Sequence, residues 1–154
     1  MSAADLLVLA SSIGSATVGG VFFAFSSFVM KALAQLPPAQ GVAAMQRINV
    51  VVINPWFLGV FVGTLLLSIA CVVMSLMAWQ PMLLAAGLLY AVGTFAVTGA
   101  LNVPRNERLA RIDAASPEAA AYWPVYVREW TFWNHVRTVA ALASAVCAVL
   151  VWYK

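Results

Sequence analysis

Residues 55–79 read PWFLGVFVGTLLLSIACVVMSLMAW, a stretch without one charged side chain. An α-helix advances about 1.5 Å per residue, so about 20 apolar residues carry it across the hydrocarbon of a bilayer. The uncharged interval extends in both directions, from Arg47 to Arg105, and Gln80-Pro81 divides it into two spans. A second such interval runs from Asp5 to Lys31, and a last apolar stretch follows Arg137 as far as Tyr153. The pattern predicts four spans, at about 5–31, 55–79, 82–101 and 130–153.

Composition agrees. The chain has 154 residues, 64% hydrophobic and 8% charged, where soluble proteins carry about 25% charged residues. The expected fold class is all-α, an integral membrane four-helix bundle forming a single domain over 1–154. The first span carries Asp5 where a signal peptide would be basic, and its apolar core is long, so it is expected to remain as a helix. With four spans, the loops at 32–54 and 102–129 share one side. Lys31, Arg47, Arg105, Arg108, Arg111, Arg128 and Arg137 lie there or at the adjoining helix mouths, against Lys154 alone opposite. That bias predicts a multi-pass inner or plasma membrane protein with cytoplasmic loops and external termini. The formal net charge of +3 therefore reflects topology, and no nucleic-acid partner is expected. Cys71 and Cys147 lie deep in apolar spans without a Cys-x-x-Cys spacing, which predicts inert packing residues.

Between the third and fourth spans, Ser116-Pro117-Glu118 reads as an N-cap, a first-turn proline and an early acid. A short interfacial helix over about 117–122 is expected there, stopped by Pro124. Tyr122, Trp123, Tyr126 and Trp130 are expected to form an aromatic belt at headgroup level. Within the spans, Ser12, Ser15, Gly19, Phe22 and Ser26 fall on one helical face, with Ser12, Ala16, Gly20 and Ala24 on a neighbouring row. Gly59 and Gly63 form a Gly-xxx-Gly, and Gly87, Tyr90, Thr94 and Thr98 line one side of the third span. Small residues of this kind let membrane helices approach closely.

The chemistry concentrates in Trp130-Thr-Phe-Trp-Asn-His-Val-Arg137, which contains the only histidine. Ionisable groups at membrane depth mark functional sites. At about 100° per residue Trp130, Asn134 and Arg137 share a face, whereas His135 stands about 100° from Asn134. His135 therefore reaches a flank of any cavity or faces a loop. Asn49, Asn54, Asn102, Asn106 and Asn134 all fall at the same predicted membrane face. Asn54, before Pro55, reads as a helix cap, and Asn102, Asn106 and Asn134 read as a polar lid over a cavity. An imidazole is the side chain whose ordinary titration lies near neutrality. With an arginine and amides to hold an enolate or phenolate oxygen, such a set suits proton abstraction followed by reaction with dioxygen.

On these motifs the chain resembles the anthrone oxygenase family. The matching pieces are Gly20-Val-Phe-Phe-Ala-Phe-Ser26, Met45-Gln-Arg-Ile-Asn49, Thr98-Gly-Ala-Leu-Asn-Val-Pro-Arg-Asn106 and Trp130-Thr-Phe-Trp-Asn-His-Val-Arg137. The resemblance implies a four-helix membrane bundle and oxidation of an anthrone to an anthraquinone by dioxygen. The expected function is a membrane-embedded oxidoreductase acting on a flat lipophilic phenolic, anthrone-like or quinol-like molecule. His135, Arg137 and Asn134 are the catalytic candidates. Asn102, Asn106, Trp130, Asn49, Phe22, Ser26 and Thr98 are the candidates for binding substrate. No cofactor is expected besides dioxygen as co-substrate, because one histidine and no carboxylate within a span fall short of a usual ligand set; a borrowed haem or metal stays open. Expected partners are a lipophilic aromatic small molecule and membrane lipids, and a homo-oligomer is compatible with this reading. Two rival functions are a non-catalytic lipid or quinone binding protein and a small transporter, the latter disfavoured by the lack of a membrane carboxylate.

Overall fold

Three of the helices begin where the sequence supplies a side-chain partner for their first N–H groups, and the other two begin at a proline. In the computed structural model, which describes residues 1–152, Ser2 and Asp5 form a capping box at the start of α1, Ala3–Ala34. Asn54 accepts from the amides of Trp56 and Phe57 at the start of α3, Pro55–Ala78. Ser116 does the same for Ala119 at the start of α5, Pro117–Leu150. Between them lie α2, Pro38–Val51, and α4, Pro81–Ala110. Four of the five, α1, α3, α4 and α5, are long and apolar enough to cross a membrane. The protein is an all-α, multi-pass membrane bundle, and there is no strand among the described residues. Tyr153 and Lys154, which bear on the end of the last span and the charge bias, lie outside the described residues.

Three details depart from the sequence expectation. Residues 38–51, read above as loop, form α2, which starts with Pro38 in its first turn. There is no separate interfacial helix: α5 is continuous through Pro124. Proline removes one N–H and crowds the preceding turn, but α5 is held on both sides of it by packing. Third, Tyr122, Trp123, Tyr126 and Trp130 do not form a lipid-facing belt. All four are buried, and Trp123, Tyr126 and Trp130 stack along α5 at centroid spacings of 5.7 and 6.4 Å. They fall on one stripe because they recur at three and four residues, and α2 covers that stripe with Val42 and Met45. Gln46 fixes the cover by donating to the carbonyls of Leu109 and Ile112 at 2.8 and 2.9 Å, at the C-terminal end of α4.

The bundle has three tiers. The cap just described is the first. Val18, Phe22, Phe61 and Tyr90 form the middle. Val8, Cys71, Leu83, Ala86 and Ala148 close the far end, and neither cysteine is in a disulfide. Hydroxyls stitch the lower tiers: Ser12 to the Ala145 carbonyl, Ser15 to Ser144, Ser144 to the Ala86 carbonyl and Tyr90 to the Phe61 carbonyl. In membranes such bonds average about 0.6 kcal/mol, so close packing must supply the larger share. The Ser12, Ser15, Gly19 and Phe22 face of α1 is buried, whereas Ala16 and Gly20 on the neighbouring row are exposed. Gly59 and Gly63 make no close approach; the tight contacts are at Gly14 against Thr64, Gly93 against Ala140 and Gly87 against the backbone of α3.

A methyl group at Gly87 would lie 2.6 Å from the Ser68 carbonyl, which cannot rotate away, whereas one at Gly59 meets nothing within 4 Å. Gly87→Ala is expected to cost about 1–3 kcal/mol and lower the thermal unfolding midpoint in detergent. Gly59→Ala should leave that midpoint unchanged.

Candidate functional site

Asn134 and Arg137 lie one helical turn apart on the inward face of α5, and the structure buries both, with Arg137 only 3% exposed. Each polar end of the Asn134 amide is committed. Its Oδ1 accepts from Arg137 Nη2 at 2.6 Å, and its Nδ2 donates to the Phe22 carbonyl and to Ser26 Oγ, both at 2.7 Å. Ser26 Oγ and Thr138 Oγ1 are 3.1 Å apart, and Thr138 donates back to the Asn134 carbonyl at 2.8 Å. Because Thr138 spends its hydrogen there, Ser26 is the donor to Thr138. The loop of bonds holds the amide in one orientation and thereby aims the guanidinium.

Arg137 Nη1 donates to Thr98 Oγ1 at 3.2 Å, and the Thr98 hydroxyl donates to the Thr94 carbonyl at 2.7 Å. The guanidinium carbon lies 4.0 Å above the Phe22 ring and 5.1 Å from that of Trp130. Cation–π contacts away from water contribute about 2 kcal/mol, well short of the cost of burying a bare cation. No carboxylate offsets that cost: the one ion pair among the described residues is Arg105 with Glu129, at 3.0 Å. Arg137 Nε has no partner at all.

This cation forms the floor of a cavity of about 290 Å³, near the lower end of small-molecule sites, about 300–1,000 Å³. Phe22, Phe57 and Phe61 build its aromatic wall, with Phe57 and Phe61 stacked at 5.7 Å and 12°. Met45, Ile48 and Asn49 of α2 form its roof. Ile53 and Leu58, 68% and 38% exposed, place its mouth at the junction of α2 and α3. Arg137 is the only ionisable side chain lining it. Besides Arg137 Nε, two more buried donors on its lining lack partners, Asn49 Nδ2 and Trp130 Nε1. A buried donor left unpaired costs about 1–3 kcal/mol, and three of them belong to residues of this one lining.

The structure brings together six of the predicted residues on the lining: Phe22, Asn49, Thr98, Asn106, Trp130 and Arg137. Asn134 and Ser26 stand behind Arg137 as its support. Asn102 is fully buried and donates to the Trp130 carbonyl at 3.2 Å, so it holds the α5 backbone without touching the cavity. Asn54 caps α3, as its place before Pro55 predicts. His135 does not join them. It is exposed, on a separate recess with Lys31 and Arg128, because it sits off the Asn134–Arg137 stripe. Sequence reasoning missed Met45, Ile48, Phe57, Phe61 and Tyr126; the Tyr126 hydroxyl donates to Asn106 Oδ1 at 2.8 Å. The spacing of Val42, Met45 and Asn49 was the available signal for α2. Two of the three π-helical turns, Phe25–Val29 in α1 and Thr98–Asn102 in α4, lie beside the site, and such turns re-aim side chains within an otherwise regular helix. Among the described residues no three His, Cys, Asp or Glu side chains converge as metal ligands.

The family model for anthrone oxygenase matches residues 54–147. That is more than half of the chain, and the chain belongs to this family. The match includes Thr98, Asn102, Asn106, Trp130, Asn134 and Arg137, and leaves out α1 and α2, which supply Phe22, Ser26 and Asn49. No curated protein and no solved structure matches the chain.

Replacing Asn134 by alanine removes bonds to Arg137, Phe22 and Ser26 together. Asn134→Ala is expected to destabilise the folded bundle by about 2–3 kcal/mol, read by denaturant unfolding in mixed micelles. Asn54→Ala, a helix-cap loss, should cost only about 1 kcal/mol.

Proposed function

We propose that the protein is a membrane-embedded, cofactor-independent oxygenase that oxidises a flat, lipophilic, anthrone-like phenol with dioxygen. The observation that carries this reading is the buried Arg137 guanidinium, unpaired with any carboxylate, at the floor of an aromatic-walled cavity. A neutral aromatic substrate enters at the mouth between α2 and α3 and lies against Phe22, Phe57 and Trp130. Its ring oxygen takes the place of the missing anion at Arg137.

The chemistry then follows from charge. An anthrone loses the proton of its methylene carbon when the resulting enolate oxygen is stabilised, and Arg137 is placed to do this. No lining side chain is a base, so the proton passes to water at the mouth. The carbanion of the enolate transfers electrons to dioxygen and forms a carbon–oxygen bond at that carbon, and the peroxide anion so formed takes a proton back from water to become the hydroperoxide. Loss of water leaves the quinone carbonyl, so that anthrone plus dioxygen gives anthraquinone plus water. One oxygen atom stays in the product and the other leaves as water. The product is neutral, and the stabilisation by Arg137 no longer holds it. The charge bias of the sequence puts the cavity mouth on the cytoplasmic side.

One observation favours a second reading. His135, the expected base, lies outside the cavity, as a site that binds a phenol or quinone without turning it over would allow. Oxygen uptake separates the two. Purified protein in nanodiscs with a hydroxyanthrone is expected to consume one dioxygen per quinone formed, well above the buffer rate. Arg137→Gln should lower that rate by about 10²–10³. Phe57→Leu, which removes the ring face but keeps apolar bulk and touches no polar network, should raise KM with little change in the thermal midpoint, and Met77→Ala, 84% exposed, should change neither. Substrate binding without oxygen uptake would establish the binding reading instead, and an unaltered rate in Arg137→Gln would sink the mechanism.

A further inference from the structure

The recess that holds His135 lies between α1 and α5 and has a volume of about 400 Å³. Lys31, Arg128 and His135 all line it, and no acidic side chain does. Lys31 and Arg128 are exposed and have no carboxylate partner, since Glu129, the nearest acid in sequence, is bound to Arg105. The hydroxyl Oγ1 of Thr131, also on the lining, is buried and unpartnered. The charges are graded along the helix axis. Arg128 and Lys31 stand near the end of the bundle that α2 covers. His135 follows Arg128 by seven residues of α5, about 10 Å deeper. The apolar residues beside them are exposed, Phe132 between Arg128 and His135 by 58% and Val139 beyond His135 by 68%.

This order is that of a phospholipid: anion first, then ester carbonyls, then acyl chain. We propose that the recess is a binding site for an acidic phospholipid. Lys31 and Arg128 hold the phosphate, Thr131 and His135 donate to the ester oxygens, and an acyl chain follows Phe132 toward Val139. The site is distinct from the aromatic cavity and does not rest on the oxygenase reading. The two share one residue, Ser26, which lines the recess and accepts from Asn134. A basic side chain at the membrane surface favours an anionic lipid about fivefold, so a pair gives a preference above tenfold.

Native mass spectrometry of the full chain in a neutral detergent provides the test, with phosphatidylglycerol and phosphatidylcholine of identical acyl chains as probes. One phosphatidylglycerol is expected to be retained more than tenfold better than phosphatidylcholine. Lys31→Gln with Arg128→Gln should erase that preference while the thermal midpoint, and so the fold, is kept. Arg111→Gln, which lies outside the recess, should preserve it. Equal retention of the two lipids overturns the proposal, as does an unchanged preference in the double variant. Displacement of the lipid by inorganic phosphate at equal concentration also overturns it, because the recess would then hold a free anion.

Discussion

Everything in the upper half of this bundle depends on burying one arginine without an acid to neutralise it. A lone cation in hydrocarbon is costly, and the protein offsets the cost with dipoles and aromatic faces. Asn134 Oδ1, Thr98 Oγ1 and the Phe22 ring each take part of the charge. None of these is mobile. The amide is tied to the α1 backbone, the hydroxyl to the α4 backbone, and the ring to the Phe57–Phe61 stack. The three helices that meet at Arg137 are thereby fixed relative to one another, and the cavity is what remains between them.

The absence of a carboxylate is also what gives the site its chemical character. An aspartate beside Arg137 would satisfy the charge and leave a closed ion pair. Instead the guanidinium keeps an unpartnered Nε, and two further residues of the lining, Asn49 and Trp130, keep unpaired donors.

Much of this was legible in the sequence, and the limits have physical causes. The spans stood out because hydrocarbon tolerates no charge, so Arg47, Arg105 and their like punctuate the chain. The shared face of Trp130, Asn134 and Arg137, and the separation of His135 from it, followed from 100° per residue. The helix α2 was not legible from hydropathy, because Gln40, Gln46, Arg47 and Asn49 dilute its apolar face to that of a loop. Pro124 misled for a related reason: a proline predicts a break only where packing does not hold the two sides together. The aromatics of α5 were assigned to lipid because the helix that covers them had not been seen. Phe57 and Phe61 carry no local mark that separates cavity wall from lipid-facing residue; only the approach of α1 distinguishes them.

The glycine contacts described for the lower tiers have a further consequence. Gly87 brings α4 against the backbone of α3, Gly14 and Gly93 make room for Thr64 and Ala140, and serine hydroxyls tie α5 to α1 and α4. The other end is held by large side chains around an open volume, under α2. The molecule is thus dense at one end and roofed at the other. On the proposed function a guest reaches the cavity from the roofed end, through the mouth beside Ile53 and Leu58, while the closest helix contacts lie at the opposite end.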